Sequence, residues 1–184
     1  MLEKDAVNVL SGSAYGTHSL VIYPTLRFKS LLHKIYQTQI EDKNESIKFL
    51  PFYETENSVR TILSNSDVEI DVDKIENREK TLILHDSLEI YLDQTSPESL
   101  RDDHLDLVEH AIAMKTKGVS ILGDMGAFFF KKQIQNLLNY ERILPKEFDA
   151  NLKGICLYHQ NDFNNLYDNT KQKLIDYHQI AMKI

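Results

Sequence analysis

The chain reads as an α/β fold, one domain of three αβα layers around a mainly parallel central sheet. Three observations carry that reading. Short β-rich apolar runs alternate with stretches of helical periodicity, the pattern of βαβ units. A length of 184 residues, 42% hydrophobic and 27% charged, suits one core without disulfide or metal staples. No segment shows the internal repeats or low complexity that would indicate another architecture.

The elements follow in order. Residues 1–17 end in the turn-rich Ser11–Gly16 and are expected to form a leading tail, with the domain over 18–184. Ser19–Tyr23 is a strand closed by Pro24, and Phe28, Leu31, Leu32 and Ile35 recur at helical spacing behind it. Ile47–Tyr53 reads as a second strand, with Pro51 placing it near an edge or a strand end. Thr55 caps a short helix over Glu56–Ser64, with Val59, Ile62 and Leu63 inward. Asp67–Asp73 alternates acidic and apolar residues like a half-exposed strand, and Thr81–Asp86 is a more buried one. Ser96, Pro97 and Glu98 start the best-marked helix. Leu100, His104, Leu107 and Ala111 form its inner stripe, and Gly118 stops it. Val119–Asp124 is the strand it feeds. One helix then runs from Phe130 through Ile134, Leu137 and Leu138 to just before Pro145. Gly154–His159 is a further strand, and Phe163, Leu166, Tyr167 and Leu174 mark a closing helix.

Charge and cysteine use narrow the function. The net charge of −7 and the lack of any basic run argue against direct nucleic-acid binding, so a role in transcription would run through a partner protein. Cys156 is the sole cysteine, which fits a reducing cytosol and reads as a small buried hydrophobe. Glu3, Lys4 and Asp5 interrupt the N-terminus where a signal peptide would be apolar. No run approaches the roughly 20 apolar residues of a membrane span. A cytoplasmic chain without membrane contact is expected.

In open parallel sheets, ligands bind beyond the carboxyl ends of the strands. Those ends supply Tyr23, Tyr53 with Glu54, Asp86, Asp124, and Tyr158 with His159. An aromatic and acidic rim repels phosphates and suits small organic molecules or cations. The plainer reading is a set of loop-entry residues that share no pocket. Asp86 and Asp124 each end an apolar run like the second acidic motif of NTPases, where they could accept from a polar ligand or carry a proton. Helix capping and loop hydrogen bonding is the favoured reading.

A phosphate loop requires two glycines around four residues and then Lys-Ser or Lys-Thr. Lys29-Ser30 stands at that distance, but Tyr23 and Phe28 fill the glycine places. Phe28 obstructs backbone approach to a phosphate, so ATP hydrolysis is not expected. A Lys-Ser pair on an exposed helix face is the plain explanation, and a decayed nucleotide site in a RecA-like fold is the sharper one. Asp67, Glu69, Asp71 and Asp73 do not form a calcium loop, because Val72 and Arg78 stand where glycine and glutamate belong. The seven histidines show no zinc-site spacing. His18 and His178 would meet in a wound sheet, yet neither metal nor cofactor is expected.

The order of motifs resembles the MEDS sensory domain, the DcmR-like sensory domain of prokaryotic signalling proteins. His18 leads a strand into Tyr23, and Leu84–Tyr91 supplies strand, acid and tyrosine. Gly118–Asp124 precedes a helix closed by Tyr140-Glu141, Gly154–Tyr158 is a strand, and the last helix ends at His178. The match runs from Gly16 to His178. It implies a RecA/KaiC-like scaffold without working NTPase motifs, which senses small hydrocarbon-derived molecules. The implied ligand site comprises His18, Tyr23, Asp86, Tyr91, Asp124, Tyr140, Glu141, Cys156 and Tyr158.

Three functions compete. The first is a non-catalytic sensor that binds a small organic ligand and signals through a partner. The second is a degenerate RecA/KaiC-like nucleotide binder that keeps Lys29 as its anion contact. The third is a ligand-free interaction or oligomerisation module, such as a homo-oligomer using the sheet edge.

Overall fold

The computed structural model describes residues 3–65, 70–92 and 96–184. Six strands form one sheet: β1 (His18–Tyr23), β2 (Ser46–Leu50), β3 (Leu82–Leu84), β4 (Val119–Asp124), β5 (Leu152–His159) and β6 (Ile180–Lys183). Their order is β3-β2-β4-β5-β1-β6, and every pairing is parallel. The predicted layered α/β class is therefore what the chain adopts.

Helices cover both faces. The first face carries α1 (Glu3–Gly12), α2 (Leu26–Lys43) and α3 (Glu56–Ser64). Phe28, Leu32, Val59 and Leu63 there pack on Val21, Phe49, Leu122 and Leu157. The second face carries α4 (Ser87–Leu92), α5 (Pro97–Ala113), α6 (Gly126–Phe130), α7 (Ile134–Ile143), α8 (Gln160–Asn164) and α9 (Asp168–Tyr177). Val108, Leu137, Tyr140 and Leu174 there meet Leu20, Ile121, Cys156 and Tyr158. Successive strand residues point to opposite faces, and β1, β4 and β5 carry buried apolar residues on both, as a doubly covered sheet requires.

Local signals explain most boundaries. The Thr55 side chain accepts from Ser58 N–H, and Ser96 Oγ accepts from Ser99 N–H. Gly16 sits at φ 91°, and a Cβ there would lie 2.9 Å from the Phe148 carbonyl oxygen, so only glycine makes this turn. At the amino ends of the strands, buried Glu45 takes Tyr15 and Lys153 on one oxygen and Ser120 on the other, each at 3.0 Å. That network ties β2, β4 and β5 together.

Several expectations are corrected. Residues 3–12, read as part of a tail, form a helix whose Ala6, Val7 and Leu10 are buried in the core. The strand expected to reach Tyr53 stops at Leu50, before Pro51 removes a ladder donor. Residues 66–69 of the acidic run lie outside the described residues. Residues 70–73 do not form a strand but lead into one π-helical turn, Lys74–Arg78, which buries Ile75. The helix after Ser96 ends at Ala113, five residues before Gly118, in a turn with Lys115 at φ 61°. Its Leu100 side chain lies outside the described residues. The single helix expected before Pro145 is two, broken where Lys132 takes φ 56°, and Phe130 is 65% exposed. The closing helix also splits, with Tyr167 at the break and 84% exposed. Strand β6 was not expected.

Candidate functional site

The expected rim is divided by strand parity. In β1, His18, Leu20 and Ile22 point to the second face, while Ser19, Val21 and Tyr23 point to the first. In β5, Cys156 and Tyr158 point to the second face, and in β4, Asp124 turns to the first. The residues expected to share one pocket thus belong to separate sites.

On the first face, Asp124 Oδ2 accepts from Lys29 Nζ and from the Tyr23 hydroxyl, each at 2.9 Å. Its Oδ1 accepts from Gly126 N–H at 2.9 Å. Lys29 and Asp124 side chains are both 0% exposed. The rings of Tyr23, Phe49 and Tyr53 lie 5.7–6.0 Å from the ammonium. Burial, followed by Asp124, pushes the Tyr23 hydroxyl far above its ordinary range. Lys29 is therefore not on an exposed helix face, which corrects the plain reading. Only Pro24 and Thr25 separate β1 from α2, so no loop is long enough to wrap a phosphate. Ser30 is half-buried on α2.

On the second face, Tyr91, His104, Tyr140, His18, Cys156 and Gly123 border a small void of about 10 Å³. That is about the least room that holds one water. The Tyr91 and Tyr140 rings meet at 5.3 Å, and His104 stands edge-on to Tyr140 at 6.3 Å. His104 Nε2 is buried with no hydrogen-bond partner. Burial, helped by Lys48 and His18, holds its pKa down at about 3, so the ring is neutral. Gly123 admits the Tyr91 hydroxyl, since a Cβ there would lie 2.1 Å from that oxygen. Gly123→Ala is expected to destabilise by about 1–3 kcal/mol through overpacking, with Tyr91→Phe recovering part of the loss in thermal melts.

Beside this chamber, four side chains from different elements converge. His178 Nε2 is 3.3 Å and His18 Nε2 3.7 Å from Glu141 Oε2. Cys156 Sγ lies 3.5 Å from His18 Nε2 and 3.6 Å from Glu141 Oε2. The Tyr158 hydroxyl donates to Glu141 Oε1. Burial opposes ionisation of Glu141, but His178, His18 and Tyr158 hold its pKa down at about 2, so it is a carboxylate. Burial, then His178, holds His18 near 4 against the pull of Glu141. Burial and Glu141 push the Cys156 thiol up.

The remaining predicted residues lie elsewhere. Asp86 Oδ1 accepts from Leu88 N–H and so caps α4, as the plain reading expected. It borders an open cleft of about 280 Å³ with Glu54 and Glu56. Asp86 and Asp124 do not follow neighbouring strands, because β2 lies between β3 and β4. Tyr53 is partly exposed and donates to Asp162, with His159 5.3 Å from its ring. The sequence reading did not assign His104 or His178 to a ligand site. Their signal was weak: His104 stood on a helix's inner stripe and His178 at a helix end.

No family model matches the chain, and no curated protein matches it. Among solved structures, a KaiC-like protein from the hyperthermophilic archaeon Pyrococcus horikoshii OT3 aligns with a TM-score of 0.59 at 14% identity. The alignment covers 96% of this chain and 76% of that one. The Hef helicase domain of Pyrococcus furiosus gives a TM-score of 0.47 at 11% identity, over 98% of this chain and 38% of that one. At such identities the likeness is one of fold alone. Among the described residues, no helix is long and apolar enough to cross a membrane. The chain has a RecA-like three-layer α/β fold.

Proposed function

We propose that this chain is a non-catalytic sensor domain that binds a small organic, hydrocarbon-derived ligand and signals through a partner protein. The observation that carries the reading is the chamber on the second face, where aromatic walls surround the unpartnered His104 Nε2. Apolar walls with a few fixed polar groups suit a small, weakly polar molecule. His18, Tyr91, Tyr140 and Cys156, which belong to the resemblance to MEDS domains, line the same chamber. A void this small admits a ligand only if side chains are displaced, so occupancy and helix position are coupled through differential affinity.

The first face supports the absence of ATP turnover. Lys29 is paired with Asp124 and lies under aromatic rings, so its charge is not offered to a phosphate. On the outer side of α5, Leu105 is 45% and Ile112 65% exposed. Their spacing of seven puts them on one stripe, which a partner could read when α5 moves. Partner binding at that stripe belongs to this same proposal.

A thermal-shift screen with short alcohols, ketones and haloalkanes, beside ATP with magnesium, tests the reading. Stabilisation by an organic compound is expected, worth about 2.7 kcal/mol at a hundredfold excess over Kd. The shift should vanish in Tyr140→Phe and persist in Tyr36→Phe, which alters the apolar void of the opposite face. Stabilisation by ATP and magnesium alone would overturn the sensor reading in favour of a nucleotide binder.

A further inference from the structure

His18 opens β1, Glu141 lies on α7, Cys156 sits within β5, and His178 follows α9. One donor atom from each lies within 4.8 Å of all the others, and all four residues are buried. The sequence disperses them over 161 positions, which is why no metal-site spacing was legible; the fold alone assembles them.

Most of the spacing approaches that of a coordination shell. Tetrahedral zinc holds nitrogen and oxygen ligands at about 2.0–2.2 Å and sulfur at about 2.3 Å, which separates neighbouring ligands by about 3.3–3.6 Å. Four of the six separations run 3.3, 3.5, 3.6 and 3.7 Å, and the other two lie within 4.8 Å.

The hydrogen positions point the same way. His18 Nδ1 lies 3.1 Å from the Pro145 carbonyl oxygen, and His178 Nδ1 lies 2.7 Å from that of Leu174. A carbonyl oxygen only accepts, so each Nδ1 carries the hydrogen. Both Nε2 atoms then face the shared centre. This backbone anchoring is how metal-bound histidines are commonly oriented. Tyr158 satisfies the outer oxygen of Glu141 and leaves the inner one facing the two histidines. Two imidazole nitrogens, a carboxylate oxygen and a thiol therefore converge. His178 Nε2 is buried and makes no hydrogen bond, despite lying 3.3 Å from the carboxylate. A divalent cation at the centre would lie within reach of every inward atom.

We propose that His18, Glu141, Cys156 and His178 form a binding site for one zinc-class divalent transition-metal ion. Two imidazoles, a thiolate and a carboxylate are borderline donors that suit zinc, and cobalt(II) is its spectroscopic stand-in. On binding, the thiol loses its proton to solvent and the thiolate sulfur bonds the metal. The proposal does not rest on the sensor reading, because the ion would equally serve as a clamp between the sheet, α7 and the end of α9.

The test refolds the full chain from urea with zinc or cobalt(II) and removes free metal by desalting. The proposal expects one metal ion retained per chain, with a thiolate-to-cobalt charge-transfer band in the cobalt form. Cys156→Ser should lose that band, and His178→Gln should lower metal affinity by at least about tenfold. His85→Gln, an exposed histidine, should change neither. Circular dichroism checks the fold of each variant; if a variant does not fold, the wild-type charge-transfer band decides. Wild type that retains no metal, or cobalt bound without the thiolate band, would overturn the proposal. Full retention in folded Cys156→Ser and His178→Gln would overturn it as well. No organic ligand is present, so either outcome leaves the sensor screen to be judged separately.

Discussion

Replacing Asp124 with leucine is expected to cost about 3–5 kcal/mol of folding stability, the largest single effect anticipated in this chain. The substitution strands a fully buried ammonium on Lys29 and removes the acceptor of the Tyr23 hydroxyl and of Gly126 N–H. Lys29→Met leaves the buried carboxylate with two of its three donors and is expected to be milder. The double variant, Lys29→Met with Asp124→Leu, removes both charges and should be more stable than Asp124→Leu alone, because buried pairs replaced together by apolar residues are often neutral. Urea denaturation of the four proteins gives the coupling energy directly. If Asp124→Leu kept wild-type stability, water would have to reach the pair, and the argument that Lys29 is withdrawn from ligands would fail.

Stability should also fall as pH drops below about 6.5, by up to about 1.4 kcal/mol per pH unit for each histidine buried in neutral form. His33 and His104 are two such groups. Burial, with Lys29 adding to it, holds His33 near 3, and burial likewise holds His104 near 3. Unfolding frees each imidazole to titrate at its ordinary 6.5, so between that pH and the folded value the unfolded chain binds the extra proton. Their stabilisation is complete above 6.5 and is lost as pH falls towards 3. Glu54 acts in the opposite sense, since burial raises its pKa and favours the protonated folded form at acid pH. Glu54 sits 3.7 Å from His33 Nδ1, so His33 is best compared with its own variant. The slope should flatten by about one proton in His104→Phe, and again in His33→Phe. Equal slopes in wild type and both variants would show that these rings are protonated in the folded chain.

Much of the layered fold was legible because it rests on local signals. Val119–Asp124 has the predicted bounds, and α3 begins behind its Thr55 cap over the predicted residues. Helix α5 starts where Ser96 and Pro97 place it. Two misplaced helix boundaries occur where the chain breaks without a glycine or proline. Lys115 and Lys132 both take a left-handed turn that lysine does not advertise. Strand β6 spans only Ile180–Lys183 at the sheet edge, too short for its alternation to stand out.

The candidate site was legible only as a set of residue types. Sequence alone determined that Tyr23 and Phe28 stand in the glycine places of a phosphate loop, that the net charge is −7, and that aromatic and acidic residues end the strands. Tertiary structure decided which of them meet. Tyr23 and Asp124 join Lys29 on one face, while His18, Cys156 and Tyr158 join Glu141 and His178 on the other. The physical reason is the two-residue period of a strand. Neighbours in sequence are sent to opposite faces, and the helices packed on each face supply partners from distant parts of the chain.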